Sequence, residues 1–288
     1  MKKTINYTIT NKDDGLMIKA VLSKQLGLSR REISRLKFTD GLRINHELVR
    51  VTEIVHEGDE VELTFSENDE KKAQILLVEP DILYEDEDLV VVNKPTGMPT
   101  HPSHKHLDDD MGTLLQNYYG KNLTIRSIGR LDKDVSGIVL YAKNQLSAAR
   151  LSKQRNEGIL KKTYIAVVNG EVEEDSGTWT YSIHKKEGSI QKKVDKRGND
   201  CITHYKVLQK NHDYSILEVM IETGRSHQIR AGLAAYGYPI VGDSLYGSKE
   251  GCIACALHSH TITFKQPFSN KEINVEAPLP SYMQEFFD

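Results

Sequence analysis

The chain has 288 residues, with 38 basic and 41 acidic side chains, a formal net charge of −3 and three cysteines, Cys201, Cys252 and Cys255. That length predicts about two domains with sizeable cores, and so few cysteines exclude a disulfide framework and suit a reducing compartment. No apolar run approaches the roughly 20 residues needed to cross a bilayer, and Met1-Lys2-Lys3-Thr4-Ile5-Asn6 lacks the apolar stretch of a secretory signal, so the expected location is the cytoplasm.

The charge is unevenly placed. Eight basic and three acidic residues lie between Lys19 and Arg50, and ten and three between Lys121 and Lys162, while acidic residues gather in 53–88. Two separated basic zones in an acidic chain suggest a polyanion held on defined surfaces; ordinary solvated faces are the plainer alternative. Near the N-terminus, Asp14 is placed to cap a helix carrying Met17, Val21 and Leu22, with Gly27 at its end. Ser29-Arg30-Arg31-Glu32 has the form of a capping box opening a second short helix. That helix carries Arg30, Arg31, Arg35 and Lys37, and turns Ile33 and Leu36 inward. Asp40-Gly41 leads into Leu42-Arg43-Ile44, Asn45-His46 turns the chain again, and Gly58-Asp59 precedes the alternating Val61-Glu62-Leu63-Thr64-Phe65.

The Ser-Arg helix start, the Gly-x-Arg-Ile-Asn turn and the Gly-Asp turn resemble the αL RNA-binding motif of a ribosomal protein and many RNA-modifying enzymes. Asp13 and Asp14 stand where that motif usually has a basic residue. The resemblance implies an RNA-binding domain over residues 1–66, with Arg30, Arg31, Arg35, Lys37 and Arg43 on phosphates. Glu67-Asn68-Asp69-Glu70-Lys71-Lys72 is charged and aperiodic, so residues 67–80 read as a linker.

From residue 81 strands and helices alternate. Leu89-Val90-Val91-Val92 is a short apolar strand running into Asn93-Lys94-Pro95, with Gly97 and Pro99 marking a loop, and Thr113-Leu114-Leu115-Gln116 begins a helix. His101, His104, His106 and Asp108-Asp109-Asp110 fit no zinc or calcium spacing. Cys252 and Cys255 fall on opposite faces of an extended segment. No metal is expected at either place.

In Gly129-Arg130-Leu131-Asp132, Arg130 and Asp132 lie two apart and share one face of an extended segment. On these residues alone, a structural ion pair and a catalytic acid are equally good readings. Ile138-Val139-Leu140-Tyr141-Ala142 reads as a buried strand, followed by a helix with Asn144 as its cap and Gly158 as its stop. Alternation in 161–170 puts Tyr164, Ala166 and Val168 on one face. Leu217, Val219 and Ile221 likewise line one face of a strand. Ser226 is the expected cap of the next helix, which carries Ile229 and Leu233, and Arg225 stands at the strand-to-helix junction where helix amides add positive potential.

Three strings in this order resemble the RluA/RluD-type pseudouridine synthases: Arg130-Leu131-Asp132; Lys162-Thr163-Tyr164 running on to Gly170; and Thr223-Gly224-Arg225-Ser226-His227-Gln228-Ile229-Arg230, followed by Pro239-Ile240-Val241-Gly242-Asp243. The resemblance implies an α+β fold, with a catalytic domain over 81–288 built on a largely antiparallel mixed sheet with flanking helices. It also implies an enzyme without cofactor or metal that isomerises uridines in structured RNA; the sequence is silent on oligomeric state, and a monomer is the default expectation. Ribosomal RNA of the large subunit is the foremost substrate, and transfer RNA the alternative. By resemblance Asp132 is the catalytic carboxylate, Arg225 its guanidinium partner, and Arg130 enters the space left by a flipped base. Tyr164 contacts the uracil and is a candidate to remove its carbon 5 proton, and Ile229 lines the pocket. The chain departs from the family at Gly129, where His is usual, and at Val135, where Thr is usual. A non-catalytic RNA-binding or ribosome assembly protein is the competing reading.

Overall fold

The structure is a computed structural model that describes residues 2–28, 32–33, 36, 41–66, 79–102, 109–120, 123–185, 188–189, 191–247 and 254–287. Arg30, Arg31, Arg35, Lys37, nearly all of the expected linker, His104, His106, Asp108 and Cys252 lie outside the described residues. Two compact units form, one of Met1–Ile75 and one of Leu76–Pro102 with Asp109–Asp288 as its main parts.

In the first unit, strands β1 (Lys2–Thr8), β2 (Leu42–Ile44), β3 (Glu47–Leu48) and β4 (Glu60–Ser66) form a sheet in the order β1-β4-β2-β3, with helix α1 (Ile18–Lys24). Asn45 and His46, at φ 50° and 67°, adopt the two left-handed conformations that a tight hairpin needs between β2 and β3. Ile18, Val21 and Leu22 of α1 pack into one apolar cluster with Leu42, Val61 and Leu63, and Ile33 and Leu36 join it. Asp14 does not cap α1. The cap position is Met17, and Asp14 accepts from the Glu57 amide at 3.1 Å. Asp13 is buried and accepts from the Tyr7 hydroxyl, the Thr10 hydroxyl and Gln25, so this acid is part of the unit's framework. β1 carries little strand signal in the sequence, because its alternation is short and Lys-rich; it pairs along the whole of β4.

The second unit contains β5 (Ile82–Glu85), β6 (Leu89–Lys94), α2 (Met111–Tyr119), β7 (Arg126–Ser127), β8 (Ser136–Ala142), α3 (Gln145–Asn156), β9 (Lys161–Asn169) and β10 (Ser176–Lys185). It continues with β11 (Lys192–Val194), β12 (Asn199–Lys210), β13 (Tyr214–Ile221), α4 (Gln228–Ala235), β14 (Leu257–Lys265), β15 (Glu272–Glu276) and α5 (Ser281–Gln284). Among the described residues, an 11-stranded sheet runs β11-β10-β12-β13-β9-β14-β8-β6-β5, with β15 beside β14 and β7 beside β8. Its one parallel ladder among those residues joins β8 to β14, where His258 faces Ser136 and Ser259 faces Gly137. All seven residues of β8 are buried, as expected of a strand covered on both faces. Gly137, at φ 102°, is what lets the two strands meet: a Cβ there would stand 2.3 Å from the Ser259 carbonyl oxygen.

Asn144 caps α3 through the Ser147 amide, and Gly158 follows its end in a left-handed conformation. Asp110, one of the acids weighed as a metal ligand, caps α2 through the Thr113 amide and hydroxyl. No helix among the described residues is long and apolar enough to cross a membrane.

Candidate active site

Residues 128–135 carry the chain from β7 into β8, and the loop after β6 grips them from beneath. Lys94 is fully buried, and its ammonium donates to the carbonyls of Pro95 at 2.8 Å, Met98 at 2.7 Å and Lys133 at 3.3 Å. Burial pulls its pKa down to about 7 against the opposing charges of Asp132 and Asp134. Gly97 donates its amide to the Lys133 carbonyl, Thr96 its hydroxyl to the Asp134 carbonyl, and Thr100 its hydroxyl to the Leu131 carbonyl at 2.8 Å. The backbone of 131–134 is thus fixed by hydrogen bonds from a second loop, which leaves the Asp132 side chain a defined direction.

The Asp132 side chain is 13% exposed, and Oδ2 lies 3.4 Å from Nη1 of Arg230. Arg230 is itself buried. It donates Nε and Nη2 to the two oxygens of the wholly buried Asp243, at 2.7 and 2.8 Å, and Nη2 also approaches Asp134 at 3.4 Å. Burial alone would lower the Arg230 pKa, but the two-pronged Asp243 contact outweighs it and holds the guanidinium above its ordinary range. Tyr164, in β9 opposite Ser259 and Val219, is 7% exposed. Its phenol is pushed up to about 12, first by burial and then by the Asp132 charge, with Ser259 working the other way. Asp132 and Tyr164 are therefore brought into one neighbourhood.

The expected partner of Asp132 is corrected. Arg225 is exposed, and its amide donates to Gln228 Oε1 at 3.1 Å; the guanidinium beside Asp132 belongs to Arg230. The reason is where the helix begins. α4 starts at Gln228, its N-cap is His227 at φ 58°, and Ser226 does not cap it. Residues 222–226 therefore stay near the surface, and the first turn of α4 carries Arg230 inward. Gln228 secures this start, with Nε2 donating to Ile202 and Thr203 while Oε1 accepts from the Thr223 hydroxyl and the Arg225 amide. Tyr181 adds a hydroxyl hydrogen bond to the Gln228 carbonyl at 2.9 Å.

Arg130 is exposed, and its charge is felt at His101, whose pKa is lowered by burial and then by that guanidinium. Ile229 is buried in α4. Arg43, in the first unit, is exposed and donates to the His46 carbonyl. Sequence reasoning missed the Arg230–Asp243 pair and the approach of Arg230 to Asp132. Periodicity cannot separate Arg230 from Arg225, because Gln228 to Leu233 are buried without interruption. The signal available is a basic residue inside an otherwise buried helix start, with an acid 13 residues on.

Comparison with known proteins matches residues 88–235 to the RNA pseudouridylate synthase family model. The chain is 33% identical to an uncharacterised RNA pseudouridine synthase, YhcT, of Bacillus subtilis (strain 168), over 97% of this chain and 95% of that protein. It is 36% identical to ribosomal large subunit pseudouridine synthase C of Rickettsia felis, over 72% of this chain and 70% of that protein. The solved structure of human RNA pseudouridylate synthase domain containing 1 shares the fold, with a TM-score of 0.59 at 22% identity, over 69% of this chain and 83% of that one. The matched segment holds Asp132, Tyr164 and Arg230 together, and with relatives alike over nearly the whole length, this chain belongs to the RNA pseudouridine synthase family.

Proposed function

We propose that the protein isomerises uridine to pseudouridine in large-subunit ribosomal RNA with Asp132 as its catalytic carboxylate. The observation that carries this reading is a mostly buried carboxylate facing a buried guanidinium, beside a buried tyrosine. The reaction breaks the bond between ribose carbon 1′ and uracil nitrogen 1, turns the base, and joins carbon 1′ to carbon 5. Carbon 5 loses a proton and nitrogen 1 ends with one, so the atoms balance without an oxidant or energy source. A carboxylate suits the sugar end of this chemistry, as nucleophile or as a counter-charge to cationic character at carbon 1′. Arg230 compensates that charge where water is scarce, and Asp243 keeps Arg230 from folding over the reacting oxygen.

A stacked uridine cannot reach such a pocket, so it is extruded at a cost of a few kcal/mol. Arg130, exposed at the start of the Asp132 loop, is suited to fill the gap left in the RNA. Tyr164 meets the uracil as a protonated phenol, Ile229 supports the pocket wall, and Arg225 contacts the RNA from the rim. In the first unit an αL-type RNA-binding domain holds the substrate through Arg30, Arg31, Arg35, Lys37 and Arg43. The large-subunit substrate rests on the printed name of the Rickettsia relative and on this basic N-terminal zone; transfer RNA is the alternative. The test is nucleotide-resolution mapping of pseudouridine in total RNA from cells with and without the protein. The expected result is loss of one or more pseudouridines from large-subunit RNA. Loss confined to transfer RNA would overturn the substrate, and an unchanged map would overturn the activity.

A further inference from the structure

Arg230 is not alone in facing Asp132 from the Thr223–Arg230 segment. Nε2 of His227 lies 3.7 Å from Asp132 Oδ2, the same oxygen that Arg230 approaches. Both side chains are mostly buried, and His227 holds φ 58° and ψ 19°, a left-handed conformation uncommon for any residue but glycine. Such a conformation persists where the surroundings demand it. Here they do so through the other ring nitrogen: Nδ1 is 2.8 Å from the Tyr246 hydroxyl, and the two rings meet edge to face.

The facing carboxylate selects the proton arrangement. The Lys192 amide donates to the Tyr246 hydroxyl oxygen at 2.7 Å, which leaves that hydroxyl able to donate to His227 Nδ1 or to accept from it. A proton on Nδ1 would turn a lone pair of Nε2 toward Asp132. With the Tyr246 hydrogen directed at Nδ1, the ring hydrogen of a neutral imidazole sits on Nε2, facing Asp132. Asp243 sets both sides of the assembly, because it grips Arg230 and also accepts from the amides of Leu245 and Tyr246. The charged groups around the imidazole are Asp132, Arg230, Lys192 and Asp243. Burial is the largest influence, Arg230 and Lys192 add to it, the two carboxylates oppose it, and the net direction is downward, toward the neutral imidazole.

We propose that His227 is a positioning residue: the Asp132 carboxylate and Tyr246 hydroxyl fix its tautomer, and its Nε2–H, together with Arg230, holds Asp132 by Oδ2 and leaves Oδ1 as the oxygen presented to the ribose. This rests on Asp132 being the catalytic carboxylate. At 3.7 Å the pair is in electrostatic contact and beyond hydrogen-bond distance, so the proposed role requires it to shorten in the RNA complex, as catalytic contacts do.

The test uses the full chain with His227→Asn, which tolerates the left-handed backbone but cannot reach Asp132, His227→Gln, whose amide can, and Tyr246→Phe. Single-turnover pseudouridine formation, RNA affinity and histidine ring nitrogen spectra are measured for each. His227→Asn is expected to lower the rate roughly ten- to a hundredfold, by analogy with the loss of a partner that orients a metal ligand, with RNA affinity unchanged. His227→Gln recovers most of that loss. The wild-type spectrum carries the His227 proton on Nε2 alone, and Tyr246→Phe gives a mixture of tautomers with a slower reaction. An unchanged rate in His227→Asn, a glutamine variant as slow as the asparagine one, or a wild-type proton on Nδ1 would each overturn the inference. Asp132→Asn separates the two claims. If it turns over, the catalytic reading fails whatever the tautomer; if it is dead while His227→Asn runs at full speed, only the positioning role fails.

Discussion

Asp132 and Arg230 meet at 3.4 Å, a looser approach than the 2.7 and 2.8 Å pair between Arg230 and Asp243. The tighter pair is structural, and its burial makes it sensitive: removing one partner of a buried ion pair costs about 3–5 kcal/mol, because the other charge is left uncompensated. Arg230→Met is therefore expected to lower unfolding stability by about that amount in urea titration and to abolish turnover, whereas Arg230→Lys keeps the charge but loses the planar fork and falls between. A midpoint unmoved by Arg230→Met would contradict this. Tyr164 supplies a pH prediction. Its folded pKa of about 12 exceeds the unfolded value of about 10, so its stabilising contribution is complete below pH 10 and is lost as pH rises toward 12. Wild type should lose stability relative to Tyr164→Phe in that window and nowhere below it. At this scale the shared neighbourhood of Asp132 and Tyr164 is legible by resemblance, but the guanidinium that faces Asp132 is not. Arg225 and Arg230 share one string, and which of them turns inward depends on where α4 starts, a question settled by Gln228 bonds to β12 and to the junction loop.

Gly137 decides whether β8 and β14 can lie side by side. Gly137→Ala would drive a Cβ to 2.3 Å from the Ser259 carbonyl in a left-handed conformation, so both strain and collision act. It is expected to cost at least about 2 kcal/mol in equilibrium unfolding. Gly170→Ala, at φ 84° with nothing within 4 Å of the added carbon, should cost only about 1–2 kcal/mol, from the backbone conformation alone. Equal losses at the two positions would refute the close approach. The buried strands β6, β8 and β9 are readable as apolar runs or alternations, and α3 from its Asn144 cap and Gly158 stop. β10 and β12 alternate as strands with one solvated face do, through Trp179, Tyr181 and Ile183 and through Cys201, Thr203 and Tyr205, whereas the three residues of β11, Lys192–Val194, are too few and too polar to carry such a signal. Left-handed His227 at the α4 cap is equally hidden, because the preceding Ser226 offers the better local signal.

Formal charge sums to −3 over the chain, yet positive charge is concentrated in two basic zones, one in the first unit and one spanning the Asp132 loop and α3. Phosphate binding by such zones gives affinity and salt dependence, while chemistry belongs to the pocket. Replacing Arg30, Arg31, Arg35 and Lys37 together by Gln is expected to weaken RNA binding. The slope of log affinity against log salt should flatten by about 0.7–0.9 for each phosphate no longer neutralised. The single-turnover rate at saturating RNA should stay near wild type; an unchanged slope would exclude those side chains from the interface. The carboxylate itself is tested most directly by tritium release from RNA labelled at uridine carbon 5, with purified full-length wild type and Asp132→Asn under single turnover. The prediction is no detectable release from the variant at unchanged RNA affinity. Appreciable release from it would contradict the assignment of Asp132 as the group that acts on the sugar.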